Sequence, residues 1–200
     1  NPIITSAVTT NVLCNGDANG TAIISNTTGG TIPYTYTWSD GSVGVSASGL
    51  AAGTYTITTT DGNSCTATST VTITQPPLLT AAATPTPAAC NGASSGQVSA
   101  SASGGIGTLS YQWSPSGGNS ATASGLPAGN YTVTVTDGNG CTTVTSATVN
   151  QPTPIVITPS STPAVCGNNN GTASASATGG TGNLSYLWST GMTSSSISGI

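Results

Sequence analysis

The side chains able to carry chemistry in this sequence are five cysteines, four aspartates and many Ser and Thr hydroxyls. The cysteines are Cys14, Cys65, Cys90, Cys141 and Cys166. Because the chain has no His and no Cys-x-x-Cys pair, the thiols do not form a recognisable zinc site. Disulfide formation is therefore the chemistry we expect of them.

The cysteine spacing reveals an internal repeat. Cys14, Cys90 and Cys166 follow one another at a constant interval, and the same interval separates Cys65 from Cys141. This interval, called the repeat period below, is about 76 residues. Two disulfide patterns keep the period: Cys14–Cys65 with Cys90–Cys141 inside repeats, or Cys65–Cys90 with Cys141–Cys166 between repeats. We favour the first, because in a six-strand up-and-down arrangement the first and fifth loops, which carry Cys14 and Cys65, lie at the same end of a sandwich.

Under the favoured pattern, Cys166 is left for a partner beyond the end of the chain. A disulfide that closes a loop of this length is expected to stabilise a small domain by about 4 kcal/mol. Such bonds form and persist in oxidising compartments, so the sequence predicts an extracellular protein.

The aspartates and hydroxyls do not suggest catalysis. A Ser, Thr or Cys nucleophile needs a neighbouring base, and the chain has no His or Lys. The runs that begin at Asp61 and Asp137 are both Asp-Gly-Asn, which predicts Asx turns. A weak calcium site at these turns is the less favoured alternative. We therefore expect a protein that is not an enzyme and has no catalytic residues, metal or cofactor.

The charge composition excludes several classes of partner. An ordinary protein is about 25% charged, whereas only 2% of these residues are charged and none is Lys or Arg. Nucleic acids and anionic membrane surfaces are both bound through cationic side chains, so neither is an expected partner. Since no run of eighteen apolar residues occurs, we also expect no membrane insertion. A signal peptide is not recognisable at the start, and we expect it to have been removed or to lie upstream.

Other motifs follow the same period. Gln75-Pro76 recurs as Gln151-Pro152, and the two Asp-Gly-Asn runs are separated by the same interval. Proline-rich stretches follow each Gln-Pro pair and indicate boundaries. The predicted domains are therefore residues 1–76, 77–152 and 153–200, called repeats 1, 2 and 3 below, with repeat 3 expected to be truncated.

Alternating sequence patterns within each repeat predict short strands. Every second residue is apolar in the segments around Trp38 and Tyr131, with Thr between them, so one face is predicted to be core and the other a ladder of hydroxyls. The predicted fold class is all-β, with tandem immunoglobulin-like β-sandwich repeats of about 76 residues. The aromatic residues predicted to pack in the cores are Trp38, Trp113, Trp188, Tyr36, Tyr111, Tyr186, Tyr55 and Tyr131. The alternative is that these aromatics form a platform on which sugars stack.

The surface of such a domain would be almost uncharged and would lack the lysines that protect sheet edges from association. We therefore expect either a glycan coat or lateral self-association into a fibre. The candidate glycosylation sites in Asn-x-Ser/Thr sequons are Asn19, Asn26, Asn130, Asn170 and Asn183. The exposed Ser and Thr hydroxyls are a broader target for O-linked glycans.

One set of motifs in repeat 2 resembles a known family. These motifs are Cys90-Asn91-Gly92, Gly104-Gly105, Tyr111-Gln112-Trp113, Gly125-Leu126, Ala128-Gly129-Asn130-Tyr131-Thr132-Val133 and Asp137-Gly138-Asn139-Gly140-Cys141. Together they resemble the SprB-type repeat, and the resemblance extends over repeats 1 and 3. It implies very large cell-surface adhesins of gliding bacteria, exported by type IX secretion, although other large surface proteins carry the repeat. Repeat 3 departs from the pattern, with Cys166-Gly167-Asn168 in place of Cys-Asn-Gly.

The function predicted from these features is structural. We expect a rigid, disulfide-stapled spacer or filament shaft of an extracellular surface adhesin or fibre, in contact with neighbouring repeats of the same chain. The alternative is that the repeats themselves bind polysaccharide as carbohydrate-binding modules.

Overall fold

The protein is described by a computed structural model that covers residues 1–200. The chain forms fifteen β-strands and no α-helix, so it has no helix that could span a membrane. This confirms the predicted all-β class, which follows from the abundance of Thr and Val and from Gly and Pro at turns. The strands are β1 Ile4–Thr10, β2 Gly20–Thr28, β3 Thr35–Trp38, β4 Ser46–Leu50, β5 Gly53–Thr60, β6 Thr66–Ile73, β7 Thr80–Thr86, β8 Gly96–Ser103, β9 Ser110–Ser114, β10 Thr122–Leu126, β11 Gly129–Thr136, β12 Thr142–Val149, β13 Val156–Thr162, β14 Thr172–Thr178 and β15 Ser196–Ser198.

The strands pair into five sheets of three strands each. In repeat 1 the sheets have the orders β1-β2-β4 and β3-β5-β6, and their pairs are antiparallel. The same pattern recurs in repeat 2 as β7-β8-β10 and β9-β11-β12, whereas repeat 3 forms the single sheet β13-β14-β15. Two small antiparallel sheets made from six strands fit the predicted immunoglobulin-like sandwich.

Grouped by their backbone contacts, the residues form two compact units. The first consists of residues 1–81, 101–111 and 134–144, and the second of residues 82–100, 112–133 and 145–200. The division passes through strands of repeat 2 and does not follow the boundaries at residues 76 and 152. The division into three domains at those boundaries therefore stays a prediction.

The core of repeat 1 lies between its two sheets. Trp38 and Ile57 face it from one sheet and Ala22 and Leu50 from the other, and all four are buried. Thr59 is also fully buried, and its hydroxyl forms a hydrogen bond of 2.7 Å with the Thr5 hydroxyl. Because a buried hydroxyl needs a partner, this bond explains how a threonine can occupy a core position.

An additional chain reversal follows Trp38. A β-bridge joins Thr37 to Val43, and the Gly44 amide donates to the Tyr36 carbonyl at 2.9 Å. The chain therefore turns back beside β3 before it crosses to the other sheet, and β4 then runs in the same direction as β3. The strict up-and-down order of the strands predicted from the sequence is thus wrong, which moves all later loops of the repeat to the opposite end.

The two ends of repeat 1 are consequently distinct. The loop between β1 and β2 lies beside the end of β6, because the Val12 amide donates to the Thr74 carbonyl at 3.2 Å and the Asn11 side chain accepts from the Thr74 amide at 2.9 Å. Cys65 lies at the other end of β6, just before its first residue. The extended β6 strand places the two ends about 26 Å apart.

Candidate functional site

The Asp-Gly-Asn turn of repeat 2 is held together by one carboxylate. Asp137 accepts three backbone hydrogen bonds of 2.9 Å: the amides of Asn139 and Cys141 donate to Oδ1, and the amide of Ile106 donates to Oδ2. The Gly138 amide also donates to the Ile106 carbonyl at 2.7 Å. The Asp137 side chain therefore joins the turn before β12 to the loop before β9.

Repeat 1 contains the same arrangement. Asp61 Oδ1 accepts from the amides of Asn63 and Cys65, and Oδ2 accepts from the amide of Thr31, each at 2.9 Å. The equivalent contacts in two repeats give Asp61 and Asp137 the structural role of the Asx turns that the sequence predicts. The structure contains no group of three or more His, Cys, Asp or Glu residues that could hold a metal ion.

The hydrogen bonds also set the charge state of these aspartates. The backbone amide of Cys65, followed by that of Thr31, lowers the pKa of Asp61 below its ordinary value. The amide of Ile106 is the main cause of the lowered pKa of Asp137. Both carboxylates are anions whose oxygens are occupied by amide donors, so they are poorly suited to act as bases or cation ligands.

The junction between repeats 1 and 2 is closed by a disulfide. Cys14 in the β1–β2 loop is bonded to Cys141, which directly precedes β12, with the two Cα atoms 5.7 Å apart and 127 residues apart in sequence. Beside it, the Asn139 side-chain amide donates to the Leu13 carbonyl at 2.9 Å. The first cysteine of one repeat is thus joined to the second cysteine of the next.

This pairing corrects the one favoured from the sequence. Cys14–Cys65 and Cys90–Cys141 are not formed, and Cys65, Cys90 and Cys166 are free and exposed. Cys14 cannot reach Cys65, because the extra reversal after Trp38 places the two loops at opposite ends of the repeat. Their separation is far beyond the Cα distance of about 7 Å that a disulfide tolerates. The alternative pairs Cys65–Cys90 and Cys141–Cys166 are not formed either.

The sequence contained a signal for the observed bond. The repeat period also permits a third pattern, in which each first cysteine pairs with the second cysteine of the following repeat. This pattern was missed because the two patterns considered joined cysteines that are neighbours in sequence.

The residues between the repeats are fixed by side-chain hydrogen bonds. The Asn15 side chain donates to the Pro76 carbonyl at 2.8 Å, and the Gly16 amide donates to Gln75 Oε1 at 2.9 Å. The same loop therefore carries the disulfide and holds the linker that leads out of its own repeat.

The linker after repeat 2 is held in the same way. The Asn91 side chain donates to the Pro152 carbonyl at 3.0 Å, and the Gly92 amide donates to Gln151 Oε1 at 2.7 Å. Each of these contacts lies one repeat period after its counterpart in repeat 1. The Asn-Gly after each first cysteine and the Gln-Pro pair at the end of the repeat thus have a common structural role.

The indole rings are placed as core residues in the first two repeats. Trp38 and Trp113 are only 4% and 6% exposed, and their Nε1 atoms donate to the carbonyls of Gly44 and Ser120 at 3.0 and 2.9 Å. Trp188 is half-buried and donates to the Ser194 carbonyl at 2.8 Å. Of the predicted core tyrosines, Tyr36 and Tyr131 are buried, and those that are half-buried are Tyr55, Tyr111 and Tyr186. The buried rings of Trp38 and Trp113 have no face open for a sugar.

The five candidate glycosylation residues are all exposed, which leaves their attachment to glycans a prediction. Asn19 is partly engaged, because its amide nitrogen donates to Asp17 Oδ2 at 3.2 Å and its oxygen accepts from the Leu13 amide. Asn170 accepts from the Val165 amide and Asn130 from the Thr148 hydroxyl, so their side-chain oxygens are the engaged atoms.

The Asp137 turn predicts a particular dependence of stability on pH. Because the pKa of Asp137 is lower in the folded protein than in the unfolded chain, its ionised form favours folding. This contribution is complete above the ordinary pKa of 3.8 and is lost as the pH falls through the lower folded value. We expect Asp137→Asn to lower the free energy of unfolding at pH 7 and to flatten its decline below pH 3.8, as measured by urea unfolding followed by Trp fluorescence.

Asp40→Asn is the matched control for this measurement. The Asp40 carboxylate is exposed and accepts hydrogen bonds from Ser42 in its own turn, so its replacement should change stability by about 0.5 kcal/mol or less. An Asp137→Asn protein with wild-type stability at pH 7 would contradict the assigned role of the carboxylate.

Comparison with known families identifies the repeat. The family model described as SprB repeat matches residues 6–43, 82–118 and 158–193, which together make up more than half of the chain. The three matches begin one repeat period apart, and each includes the first cysteine of its repeat and the loop that follows it. Comparison with curated proteins gave no match.

Comparison with solved structures finds arrays of immunoglobulin domains. The N-terminal eight Ig domains of Down Syndrome Cell Adhesion Molecule isoform 1.30.30 match with a TM-score of 0.37 and 14% identity, over 75% of this chain and 24% of that one. Dpr2 Ig1-Ig2 in complex with DIP-Theta Ig1-Ig3 matches with a TM-score of 0.31 and 11% identity, over 88% and 77% of the two chains. This chain therefore spans about a quarter of the length of the first of these structures. From its three family matches, the chain belongs to the SprB repeat family.

Proposed function

We propose that this chain is a spacer or shaft segment of a large extracellular surface adhesin, in which the repeats hold a binding region away from the cell. SprB repeats belong to cell-surface adhesins, and tandem β-sandwiches are consistent with a structural role in such proteins. The features that support a stiff segment in particular are the disulfide between neighbouring repeats and the fixed linkers.

The observation that carries this proposal is the repeated binding of each linker to the loop before it. Proline-rich linkers without such contacts act as spacers of limited stiffness, whose orientation is set by few interactions. Here Gln75 and Pro76 are hydrogen-bonded to Gly16 and Asn15, and the equivalent contacts recur one repeat later. A segment whose function was only flexible connection would not need the same two contacts at successive linkers.

The proposal includes the absence of an enzymatic function. The two buried aspartates, Asp61 and Asp137, use their oxygens to accept backbone amides, and the sequence provides no His, Lys or Arg to act with them. Ser and Thr hydroxyls of the sheets bond to one another, as Ser160 does to Ser174 at 2.7 Å. These hydroxyls act as cross-strand partners and lack the neighbouring base that a nucleophile requires.

The rival function, polysaccharide binding through exposed aromatics, is less well supported. Trp38 and Trp113 are buried and their indole nitrogens are bonded within their own repeats. A sugar-stacking platform requires an accessible ring face, which neither residue offers. We therefore assign adhesive binding to another part of the protein and a supporting role to these repeats.

Linker rigidity can be tested at the second linker, which no disulfide crosses within this chain. We expect the Thr153 amide of the wild-type protein to have an NMR order parameter of about 0.85, as in rigid backbone. The double change Asn91→Ala and Gln151→Ala removes both side-chain contacts between this linker and repeat 2 and leaves only the bond from the Gly180 amide to the Thr153 carbonyl, so the order parameter should fall measurably below the wild-type value.

Asn119→Ala is the control, because Asn119 is an exposed amide in the loop between β9 and β10 of the same repeat. It should leave the Thr153 amide as rigid as in the wild type. A Thr153 amide that is already mobile in the wild-type protein would overturn the proposal of a stiff spacer.

We also propose that glycans cover the nearly neutral surface. Large apolar side chains such as Val8, Ile23 and Val144 are about half exposed or more, and no cationic side chain separates them. Such a surface favours association unless it is covered or packed against another copy. Glycopeptide mass spectrometry of native material should find added hexose mass on the exposed sequons or on Thr and Ser. Peptides with only their bare masses would exclude the coat and leave lateral packing as the explanation.

A further inference from the structure

The disulfide between repeats divides the chain into residues that tension can extend and residues that it cannot. Cys14 and Cys141 are separated by 127 residues of chain but by 5.7 Å between Cα atoms. Tension applied through the two chain termini would reach Cys14, cross the sulfur–sulfur bond and continue from Cys141. The residues between the two cysteines form a closed loop that is outside this path.

We propose that the Cys14–Cys141 disulfide is a tension bypass, which limits how far the protein can be extended when its ends are pulled. The biological use of this property rests on the proposed function as a shaft, because only a segment that links a surface to a bound partner experiences such tension. The bypass itself is a mechanical property of this chain and can be tested independently.

Both ends of the bypass are anchored in hydrogen-bonded turns. On one side, the Cys14 carbonyl accepts from the Asp17 amide at 3.2 Å, in the loop that also holds the linker. On the other, the Cys141 amide donates to Asp137 Oδ1 at 2.9 Å, and the neighbouring Asn139 side chain donates to the Leu13 carbonyl. The force therefore enters and leaves through turns that are tied to their own domains.

The state of the remaining cysteines agrees with a bond that recurs at every junction. A partner 127 residues after Cys90 or Cys166, or 127 residues before Cys65, would lie outside residues 1–200. These are the three cysteines that are free and exposed. Bonds inside each repeat would instead have been Cys14–Cys65 and Cys90–Cys141, which would leave neither Cys65 nor Cys90 free.

Cys90 also has the environment that Cys14 has. The two residues that follow it, Asn91 and Gly92, make the same linker contacts as Asn15 and Gly16. A cavity of about 340 Å³ beside Cys90 is lined by residues that include Asn91, Pro152 and Thr181. Where a repeat is followed by a complete one, the cysteine after the Asp-Gly-Asn turn of that following repeat would occupy this cavity and bond to the residue equivalent to Cys90.

Formation of such a bond removes two electrons and two protons from a pair of thiols. Thiol–disulfide exchange with a disulfide-bearing oxidant achieves this, since the oxidant is reduced to two thiols as the new bond forms. With one bond at each junction, the closed loops would overlap along the chain, because Cys90 lies inside the loop from Cys14 to Cys141, and every residue between the first and last bonded cysteines would lie inside at least one loop.

The bypass predicts a large difference in the length that the protein releases under force. An extended chain spans about 3.3–3.6 Å per residue. The disulfide therefore prevents about 430 Å of contour length, that of the closed loop, from being extended between the termini. The experiment is single-molecule pulling with optical tweezers on the whole chain, with handles at its two termini. The oxidised wild-type protein should release only the length of residues 1–13 and 142–200.

Reduction of the same tethered molecule with dithiothreitol should add about 430 Å to the released length. The double change Cys14→Ser and Cys141→Ser should give the long release without reductant. Since reduction acts on protein that has already folded, it keeps the test valid even if the double variant folds poorly.

Cys65→Ser is the matched control, because Cys65 is a free, exposed cysteine at the position in repeat 1 that Cys141 has in repeat 2. It should keep the short release of the oxidised wild type. Equal release lengths before and after reduction, or a long release from the Cys65→Ser protein, would overturn the bypass. Neither result bears on the rigidity of the Thr153 linker, so failure of the bypass and failure of the spacer function can be told apart.

Discussion

The position of the β1–β2 loop against the end of β6 is the constraint on which the rest of the structure depends. This loop is held there by Asn11 and Val12, which bond to Thr74, and the following residues then reach the linker and the next repeat. If the loop lay at the other end of the sandwich, Cys14 could not meet Cys141 and the linker would have no partner. The connection between successive repeats is therefore determined by the strand topology within one repeat.

The repeats form these sheets and loop contacts with almost no charged side chains. Threonine hydroxyls pair across strands, the buried Thr59 finds Thr5, and Asp61 and Asp137 are stabilised by backbone amides instead of by cations. Hydrogen bonds of this kind are insensitive to salt, whereas surface ion pairs are screened by it. The stability of these repeats should therefore depend little on ionic strength, although a surface with so few charges needs other protection against association.

Much of this architecture could be predicted from the sequence because repetition amplifies weak signals. The alternating strand pattern recurs around Trp38 and Tyr131, and the Asx turn recurs at Asp61 and Asp137. Each recurrence supports the same all-β prediction. The disulfide could not be predicted in the same way, since it depends on which end of the domain each loop occupies. The end at which each later loop lies is set by the chain reversal between Trp38 and Gly44, where a single β-bridge joins Thr37 to Val43. A stretch of so few residues with two glycines looks like an ordinary turn in the sequence.

The linker contacts were also beyond sequence reasoning, because Asn15 and Gln75 lie at opposite ends of their repeat in sequence and their types suit any exposed turn. Their roles depend on the end of β6 lying beside the first loop, which the sequence does not indicate. The free cysteines show the same limitation: Cys65 was paired with Cys14 because an up-and-down strand order places their loops at one end, yet the structure separates them by the full length of β6.

The most direct test of this account is to determine which cysteines are bonded in the purified, oxidised protein. Free thiols would be blocked first, and the unreduced chain would then be cut with chymotrypsin and thermolysin, since it offers no site to trypsin. Mass spectrometry should find the peptide containing Cys14 linked to the peptide containing Cys141, with Cys65, Cys90 and Cys166 blocked. A linkage between Cys14 and Cys65 would contradict the account, because it would return both cysteines to one end of the same repeat.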